Sequence, residues 1–133
     1  MIEVNIDGAS AGNPGLSGAG IILKMNGNVE TYAIPLGVMD NHEAEFTACK
    51  RALEICLEKE DATVWLRTDS QAVVQAVEKE FVKNRQYKPL LEDILKMTAQ
   101  INLFFIKWIP GKENKAADEL ARKAIHMNED GSL

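Results

Sequence analysis

The first forty residues alternate between apolar and polar positions in the way that β-strands do. Ile2, Val4 and Ile6 share one side of the first run, and this two-residue period predicts a strand. The stretch from Gly8 to Gly20 holds five glycines and a proline, which predicts a long turn. The Asn26–Gly27 dipeptide stands between two strand-like runs and predicts a hairpin. Three strands are therefore predicted, over residues 1–7, about 18–25 and 29–36.

The period changes to that of a helix from Asp40 onward. Phe46, Cys49 and Leu53 recur at helical spacing. Asp40 is followed three residues later by Glu43, and this capping-box pattern predicts the start of the helix. The elements predicted after the third strand are a helix over about 41–58, a strand over 62–68, a short helix from Ser70 to about Lys79, a helix from Pro89 to about Gln100, a strand over 102–108 and a helix over about 113–126.

This order of elements predicts an α/β fold. Three consecutive strands favour an antiparallel meander, and the strand–helix alternation that follows favours two parallel strands. The predicted fold is therefore a mixed five-stranded sheet flanked by helices. A chain of 133 residues, 46% of them hydrophobic, is long enough for one sizeable core and too short for two ordinary domains. We predict a single domain over residues 1–127, followed by a polar, frayed tail over 128–133.

The cysteines and the N-terminus bear on the cellular compartment. Cys49 and Cys56 lie seven residues apart in one predicted helix, a separation of about 10 Å that excludes a disulfide between them. The N-terminus has no basic region followed by an apolar stretch, and no apolar segment approaches the roughly 20 residues that span a bilayer. A cytoplasmic protein with reduced thiols and no membrane contact is expected.

The net charge of −5 argues against a tight, non-specific nucleic-acid binder. It leaves a nuclease possible, because carboxylates that hold divalent cations enter this sum as bare negative charges. Bound cations would reverse their local sign.

Four acidic residues stand where the predicted layout could bring chemistry together. Asp7 and Asp69 each follow a strand, and ligands of open α/β sheets collect beyond the carboxyl ends of strands. Glu45 lies in the first turns of one helix and Asp118 in the last helix. Carboxylate oxygens suit hard cations such as Mg²⁺. Two such ions about 3.5–4 Å apart could activate water and stabilise the leaving oxygen in phosphodiester cleavage.

Each of the four acids also has a simpler explanation when it is taken alone. An aspartate that ends a strand, such as Asp7 or Asp69, is usually a turn residue or a helix cap. Glu45 could complement the helix dipole. A solvated helix face accounts for Asp118. Periodicity alone does not place Glu45 and Asp118 beside the two strand ends.

Other candidate features carry weaker signals. The run from Ala11 to Gly18 could present backbone N–H groups to a phosphate or sugar, but it lacks the order of a P-loop. Packing in the core or at its rim is favoured over base stacking for Trp65 and Trp108. The basic Lys83–Lys88 segment is more typical of a solvated loop than of a clamp on a nucleic-acid backbone.

Four segments together resemble the type 1 ribonuclease H family. Asn5–Gly15 resembles the family's first strand and glycine turn, and Asn41–Glu45 the start of its first helix. Thr68–Gln71 resembles its third acidic motif and Asn114–Ala121 its last. The resemblance covers about residues 1–125. Each motif is moderately specific, and their order with the intervening elements makes the combined signal strong.

The resemblance implies a ribonuclease H-like fold and hydrolysis of the RNA strand of an RNA/DNA hybrid. It also implies that two Mg²⁺ or Mn²⁺ ions serve as cofactor. It implies that the metal-binding catalytic acids are Asp7, Glu45, Asp69 and Asp118. The substrate-binding positions that it implies are Gly8, Asn13, Gly15, Asn41, His42, Ser70 and Gln71. Amide side chains suit the reading of a 2′-hydroxyl, which is both donor and acceptor.

The chain also departs from the family's pattern. Many members carry a histidine in the loop before the last acid, whereas residues 109–114 contain none; Lys112 or Glu113 is the candidate substitute. His42 stands where asparagine is common. Only a short segment separates Lys79 from Pro89, so the basic helical protrusion of some members is absent. Weak affinity for the hybrid is therefore expected.

Three functions follow from these observations. The first is an endonuclease acting on RNA/DNA hybrids, as a monomer with no obligate protein partner. The second is a non-catalytic or weakly active module that binds hybrids or double-stranded RNA. The third is an interaction domain without a nucleic-acid role, because a fold by itself does not specify a function.

Overall fold

Five strands and four helices make up the computed structural model, which describes residues 1–131, with side chains described up to residue 128. The strands are β1 (Ile2–Ser10), β2 (Gly15–Met25), β3 (Asn28–Met39), β4 (Thr63–Thr68) and β5 (Leu103–Trp108). The helices are α1 (Asn41–Glu58), α2 (Gln71–Lys79), α3 (Lys88–Thr98) and α4 (Lys115–Gly131). Short 3₁₀ turns precede two of the helices, at Arg85–Tyr87 and Gly111–Glu113.

The strands form one mixed sheet in the order β3-β2-β1-β4-β5. The first three strands pair antiparallel, and β1, β4 and β5 pair parallel. The predicted fold class is confirmed. The central strand β1 carries polar Glu3 on one face, and the Glu3 carboxylate accepts from Arg67 of β4 at 3.3 Å. This cross-strand pair accommodates a charged residue in a central strand, whose faces are normally apolar.

The main core lies between one face of the sheet and the helices α1, α2 and α3. Ile2, Val4 and Ile6 of β1 are fully buried there, together with Phe46 and Leu53 of α1. Burial of each such side chain stabilises the fold by about 1.5–3 kcal/mol. The opposite face of β1, β2 and β3 is covered by α4. Cys49 and Cys56 are free, buried thiols, as the spacing predicts.

The long glycine turn is the main error of the sequence-based prediction. Most of its glycines lie within strands, because β1 continues to Ser10 and β2 begins at Gly15. The reason is the close approach of helices to the sheet. A side chain at Gly8 would overlap the backbone of α1, and side chains at Gly18 or Gly20 would overlap the backbone of α4. Glycine here permits contact between backbones and does not terminate the strands.

The end of the last helix also differs from the prediction. Helix α4 continues to Gly131, about five residues past the predicted end at 126. The Asn128 side chain is part of the reason, because it accepts from the Gly37 N–H at 2.9 Å and donates to the Ser17 carbonyl at 2.7 Å. The last two residues of the predicted tail, 132 and 133, lie outside the described residues.

None of the helices within residues 1–131 combines the length and apolar character that crossing a bilayer requires.

Candidate active site

Two of the four acids meet because their strands are parallel neighbours. Ile6 of β1 is paired with Thr68 of β4, so Asp7 and Asp69 follow at the same edge of the sheet. Asp7 is only 8% exposed. The two carboxylates therefore lie side by side where the parallel pairing of β1 with β4 ends, as predicted. The prediction that Asp7 ends its strand is wrong, because β1 continues to Ser10 in its pairing with β2.

The other two acids arrive from helices on opposite faces of the sheet. Gly8 lies directly against Ala44 and Glu45 of α1. On the other face, Gly20 is paired with Asp7 and lies against Ala117 of α4, the residue before Asp118. The glycines thus allow both helices to touch the sheet beside the end of β1. This close packing brings Glu45 and Asp118 to Asp7.

The pKa of Asp7 reflects the proximity of the other three acids. Burial, the charge of Asp69, a hydrogen bond to Asp118 and the charges of Asp118 and Glu45 together raise the pKa of the Asp7 carboxyl from 3.8 to about 8, and burial is the largest of these causes. Desolvation and like charges both disfavour the ionised form. All four acids therefore interact within one cluster.

Glu45 experiences opposing influences. Burial raises the pKa of its carboxyl, and the charge of Asp69 adds to the rise. His42 and a hydrogen bond from Ser70 act in the opposite direction. The His42 Nδ1 lies 3.1 Å from the Glu45 Oε1, and the imidazole is 59% exposed. The residue that departs from the family's asparagine thus contacts a candidate catalytic acid directly.

Asp118 has a cationic partner on its own helix. The Arg122 Nε donates to the Asp118 Oδ2 at 2.9 Å across one helical turn. The Arg122 side chain is 72% exposed and that of Asp118 is 37% exposed. Because the pair is exposed, it adds little stability, and Arg122 can move away when a cation or substrate competes for Asp118.

The cluster has the chemistry of a site for hard divalent cations. All four candidate ligands offer carboxylate oxygens, which Mg²⁺ and Mn²⁺ prefer, and repulsion among them would be relieved by positive charge. Within the described residues, no three acidic, histidine or cysteine side chains already converge as a preformed metal cage. The fit to metal ions thus rests on the residue types and on their mutual electrostatic interaction, not on a preformed ligand geometry.

The predicted substrate positions fall into two groups. Several have structural contacts of their own: Gly8 packs on α1, Gly15 opens β2, the Asn13 side-chain Oδ1 accepts from the Asn41 backbone N–H at 3.1 Å, and the Ser70 hydroxyl caps α2 by accepting from the Val73 N–H at 3.2 Å. Gln71, Asn41 and His42 are exposed at helix starts beside the acids. The second group is free to meet a ligand, and the first group builds the site, although only Gly8 and Ser70 of that group are buried and Asn13 is exposed.

A cavity of about 430 Å³ adjoins the cluster at the start of α1, lined in part by Asn13, Asp40, His42 and Tyr87. Asp40 caps α1 and also accepts from the Tyr87 hydroxyl at 2.9 Å and from the Gln86 amide at 2.8 Å. The segment predicted to be a solvated basic loop therefore docks on α1 through its uncharged residues. Its lysines and arginine remain exposed.

Sequence reasoning assigned no role to Asn114, a buried polar side chain near the acids. Asn114 is 2% exposed. Its amide donates to the Ile6 carbonyl at 2.8 Å, one residue before Asp7, and its backbone carbonyl accepts from the Asp118 N–H at 3.1 Å. Asn114 thus ties the start of α4 to the end of β1. The four-residue spacing from Asp118 was visible in the sequence, but the strand that the amide contacts was not.

Trp108 is a second contact that the sequence did not reveal. Its indole N–H donates to the Asp69 carbonyl at 3.1 Å while its ring stays 41% exposed. Gly111, in the loop that follows, lies against the Asp69 carboxylate. The turn that carries Asp69 is therefore held by β5 and its loop, and the exposed Lys112 and Glu113 stand next to it.

We expect Asn114→Ala to lower both stability and any cleavage activity. The change leaves the Ile6 carbonyl without its buried donor, which costs about 1–3 kcal/mol, and frees Asp118 to shift relative to Asp7. Asn128→Ala is the matched control, because Asn128 joins the same helix to β2 and β3 far from the acids. Chemical denaturation should show similar destabilisation in both variants. The hybrid cleavage assay should show impaired turnover in Asn114→Ala alone. Equal turnover in the two variants would contradict a positioning role.

The fold and the site define an α/β protein with a carboxylate cluster at the carboxyl edge of a mixed sheet. Residues 5–124 match the family model described as reverse transcriptase-like. The chain is 41% identical over 127 residues to a protein of Enterococcus faecalis that carries the name hydrolase EbsB, covering 94% of each chain. It is 34% identical over 148 residues to a ribonuclease H of Salmonella paratyphi C, covering 99% of this chain and 94% of the relative.

A solved structure agrees with these relatives. LC11-RNase H1, isolated from compost by a metagenomic approach and crystallised with an RNA/DNA hybrid, superposes with a TM-score of 0.88 at 28% identity, covering 96% of this chain and 99% of that one. The chain belongs to the type 1 ribonuclease H-like family. The resemblance seen in the sequence is confirmed.

Proposed function

We propose that this protein is a metal-dependent endonuclease that hydrolyses the RNA strand of RNA/DNA hybrids. One observation carries the proposal: Asp7, Glu45, Asp69 and Asp118 come together at one sheet edge, and burial with mutual repulsion raises the Asp7 pKa to about 8. Keeping four carboxylates this close is unfavourable without cations. Named ribonucleases H among the relatives support the same activity.

The four carboxylates would hold two Mg²⁺ or Mn²⁺ ions, with Asp7 at the centre of the cluster. Such ions supply activation of the attacking water and stabilisation of the leaving oxygen. The protein's own residues supply position. Asn114 and Trp108 fix the segments that carry Asp118 and Asp69, and Gly8 and Gly20 allow α1 and α4 to reach the site.

The exposed amides of Asn41 and Gln71 are suited to contact the hybrid beside the acids, because an amide can pair with a 2′-hydroxyl as donor and as acceptor. Gly8, Asn13, Gly15 and Ser70 would act mainly by shaping the surface that the substrate meets. The His42 imidazole would meet the substrate next to Glu45. We place the activity in a monomeric, cytoplasmic protein that acts without a membrane or an obligate protein partner.

A weakly active or non-catalytic module that binds hybrids or double-stranded RNA is the second candidate. The loop beside Asp69 carries Lys112 and Glu113 and no histidine, and the net charge is −5. The missing histidine would slow proton transfer or product release, and the net negative charge would weaken hybrid binding.

A fluorescently labelled RNA/DNA hybrid distinguishes the two candidates. Cleavage of its RNA strand with Mg²⁺ or Mn²⁺, none with a chelator and none of the same RNA when single-stranded is the result expected of the nuclease. A folded protein that binds the hybrid but leaves it intact under both metals is the result expected of the binding module. Labelling each strand in turn identifies the strand that is cut.

A further inference from the structure

The half of the sheet formed by β4 and β5 is open on the face opposite the core. Helix α4 covers β1, β2 and β3 on that face, whereas Leu103 and Phe105 of the edge strand β5 are 51% and 49% exposed. Phe105 is paired with Trp65, and side chains two residues apart on a strand share a face. We call this surface the open sheet face; it consists of Trp65, Arg67, Leu103, Phe105 and Lys107.

Aromatic and cationic side chains alternate on the open sheet face. The Trp65 and Phe105 ring centroids lie 5.9 Å apart with a 46° tilt, and the Arg67 guanidinium carbon lies 5.7 Å from the Trp65 centroid. Lys107 is paired with Arg67 across the strands and is exposed. Exposed rings beside cations offer stacking surface for bases together with positive charge for phosphates.

The composition of this face does not suit stability alone. The Trp65 indole N–H is buried without an acceptor among the described residues, and an unpaired buried donor carries a free-energy cost. Half-exposed Phe105 and Leu103 on an edge strand also favour unwanted pairing with other chains. A bound ligand that covers this face would account for the exposed Phe105 and Leu103.

Charge favours nucleic acid over a second copy of this chain as that ligand. A second copy would present the same cations, and Glu3, the acid bordering the face, is already paired with Arg67 at 3.3 Å. A phosphate backbone complements the exposed Lys107 directly, and it could also share the Arg67 guanidinium with Glu3. The face also continues toward the acid cluster, because Arg67 lies near the end of β4 and Asp69 directly follows that strand.

We propose that the open sheet face binds single-stranded nucleic acid, with bases stacked on Phe105 and Trp65 and phosphates beside Arg67 and Lys107. The face is a site distinct from the four acids. Ring stacking and phosphate contacts do not depend on the 2′-hydroxyl, so single-stranded RNA and DNA should bind alike. A single-stranded extension of a hybrid could lie on it while the duplex meets the acids.

Fluorescence anisotropy with labelled oligothymidylate and oligouridylate tests the proposal. Oligonucleotides of about 12 nucleotides are suitable, a length within the site sizes of single-strand binders. A chelator in the buffer excludes metal-dependent binding and cleavage. We expect both oligonucleotides to bind with similar affinity. Phe105→Ala should weaken binding roughly tenfold through lost stacking. Phe81→Ala is the matched control, since Phe81 is 61% exposed on another surface, next to α2, and should leave binding unchanged.

Lys107→Glu gives a second, independent variant that keeps the rings. It should weaken binding and reduce the salt dependence, because each phosphate contact to a single strand contributes about −0.7 to the slope of log affinity against log salt. Thermal melting confirms that each variant is folded.

Two results would overturn the proposal: no oligonucleotide binding by the unaltered protein, or equal losses in Phe105→Ala and Phe81→Ala. Sedimentation of the same samples tests whether a second copy of this chain occupies the face instead. A dimer that Phe105→Ala dissociates, without oligonucleotide binding, would assign the face to a second copy and would also overturn the proposal. Since hybrid cleavage is not measured, failure here leaves the proposed nuclease intact, and the reverse also holds.

Discussion

Asp7→Asn is expected to abolish cleavage of the hybrid while the protein stays folded. Asp7 interacts with the three other acids, so the substitution removes the carboxylate at the centre of the proposed metal site. Loss of one group that stabilises transition-state charge typically lowers turnover by about 100- to 1,000-fold. Turnover of an end-labelled hybrid at saturating Mg²⁺, with Mn²⁺ in parallel, measures the effect.

Asp93→Asn is a suitable control for that measurement. Asp93 lies on α3 in an exposed ion pair with Lys50, at 3.1 Å with 45% of its side chain exposed, and pairs of this kind contribute little. It tests whether removing any carboxylate from an acidic protein changes activity. If Asp7→Asn retained cleavage, the acid cluster would not be the catalytic site, and the proposed mechanism would be wrong.

The free energy of unfolding of the metal-free protein is expected to fall as the pH rises from about 4 to about 8. The Asp7 pKa is about 8 in the fold against a usual value of 3.8. Between these values the folded state retains a proton that the unfolded chain releases, so each step up in pH favours unfolding. Glu45 acts in the same direction. The total effect is of the order of a few kcal/mol.

Thermal denaturation in a chelator at pH 5 and at pH 8 checks this expectation, with Asp7→Asn as the comparison. The variant should be the more stable of the two proteins, and its advantage should grow toward pH 8 because it has no carboxyl to ionise. Added Mg²⁺ should raise the thermal stability of the unaltered protein at pH 8 and raise that of the variant less, because metal binding to the cluster displaces protons. Parallel pH profiles for the two proteins would show that Asp7 ionises in the fold as it does in water.

Local sequence signals located most elements of this fold. Helix α1 begins and ends where its apolar spacing and its Asp40 cap predict, and the Asn26–Gly27 hairpin lies at its predicted place. These signals depend on neighbours a few residues apart, so a single sequence contains them. The glycines of β1 and β2 misled the prediction because their function is contact with α1 and α4, which lie far away in the chain.

Four moderately specific motifs in one order also singled out four acids as candidate site residues, and the structure brings these acids into interaction. Their surroundings were not predicted. Nothing in the sequence indicated that His42 would contact Glu45 or that Arg122 would pair with Asp118. Such contacts depend on side-chain directions that residue types alone do not specify.

By itself, the sequence determined the kind of fold, the family and which carboxylates to consider, because propensity, periodicity and motif order act over short stretches. Only the tertiary structure decided that side chains as far apart in sequence as Asp7 and Asp118 share one cluster around a buried Asp7, that Asn114 joins their segments, and that β5 leaves an open face. Desolvation, Coulomb repulsion and helix-to-sheet contact act through space, so their outcome is fixed only when distant segments pack together.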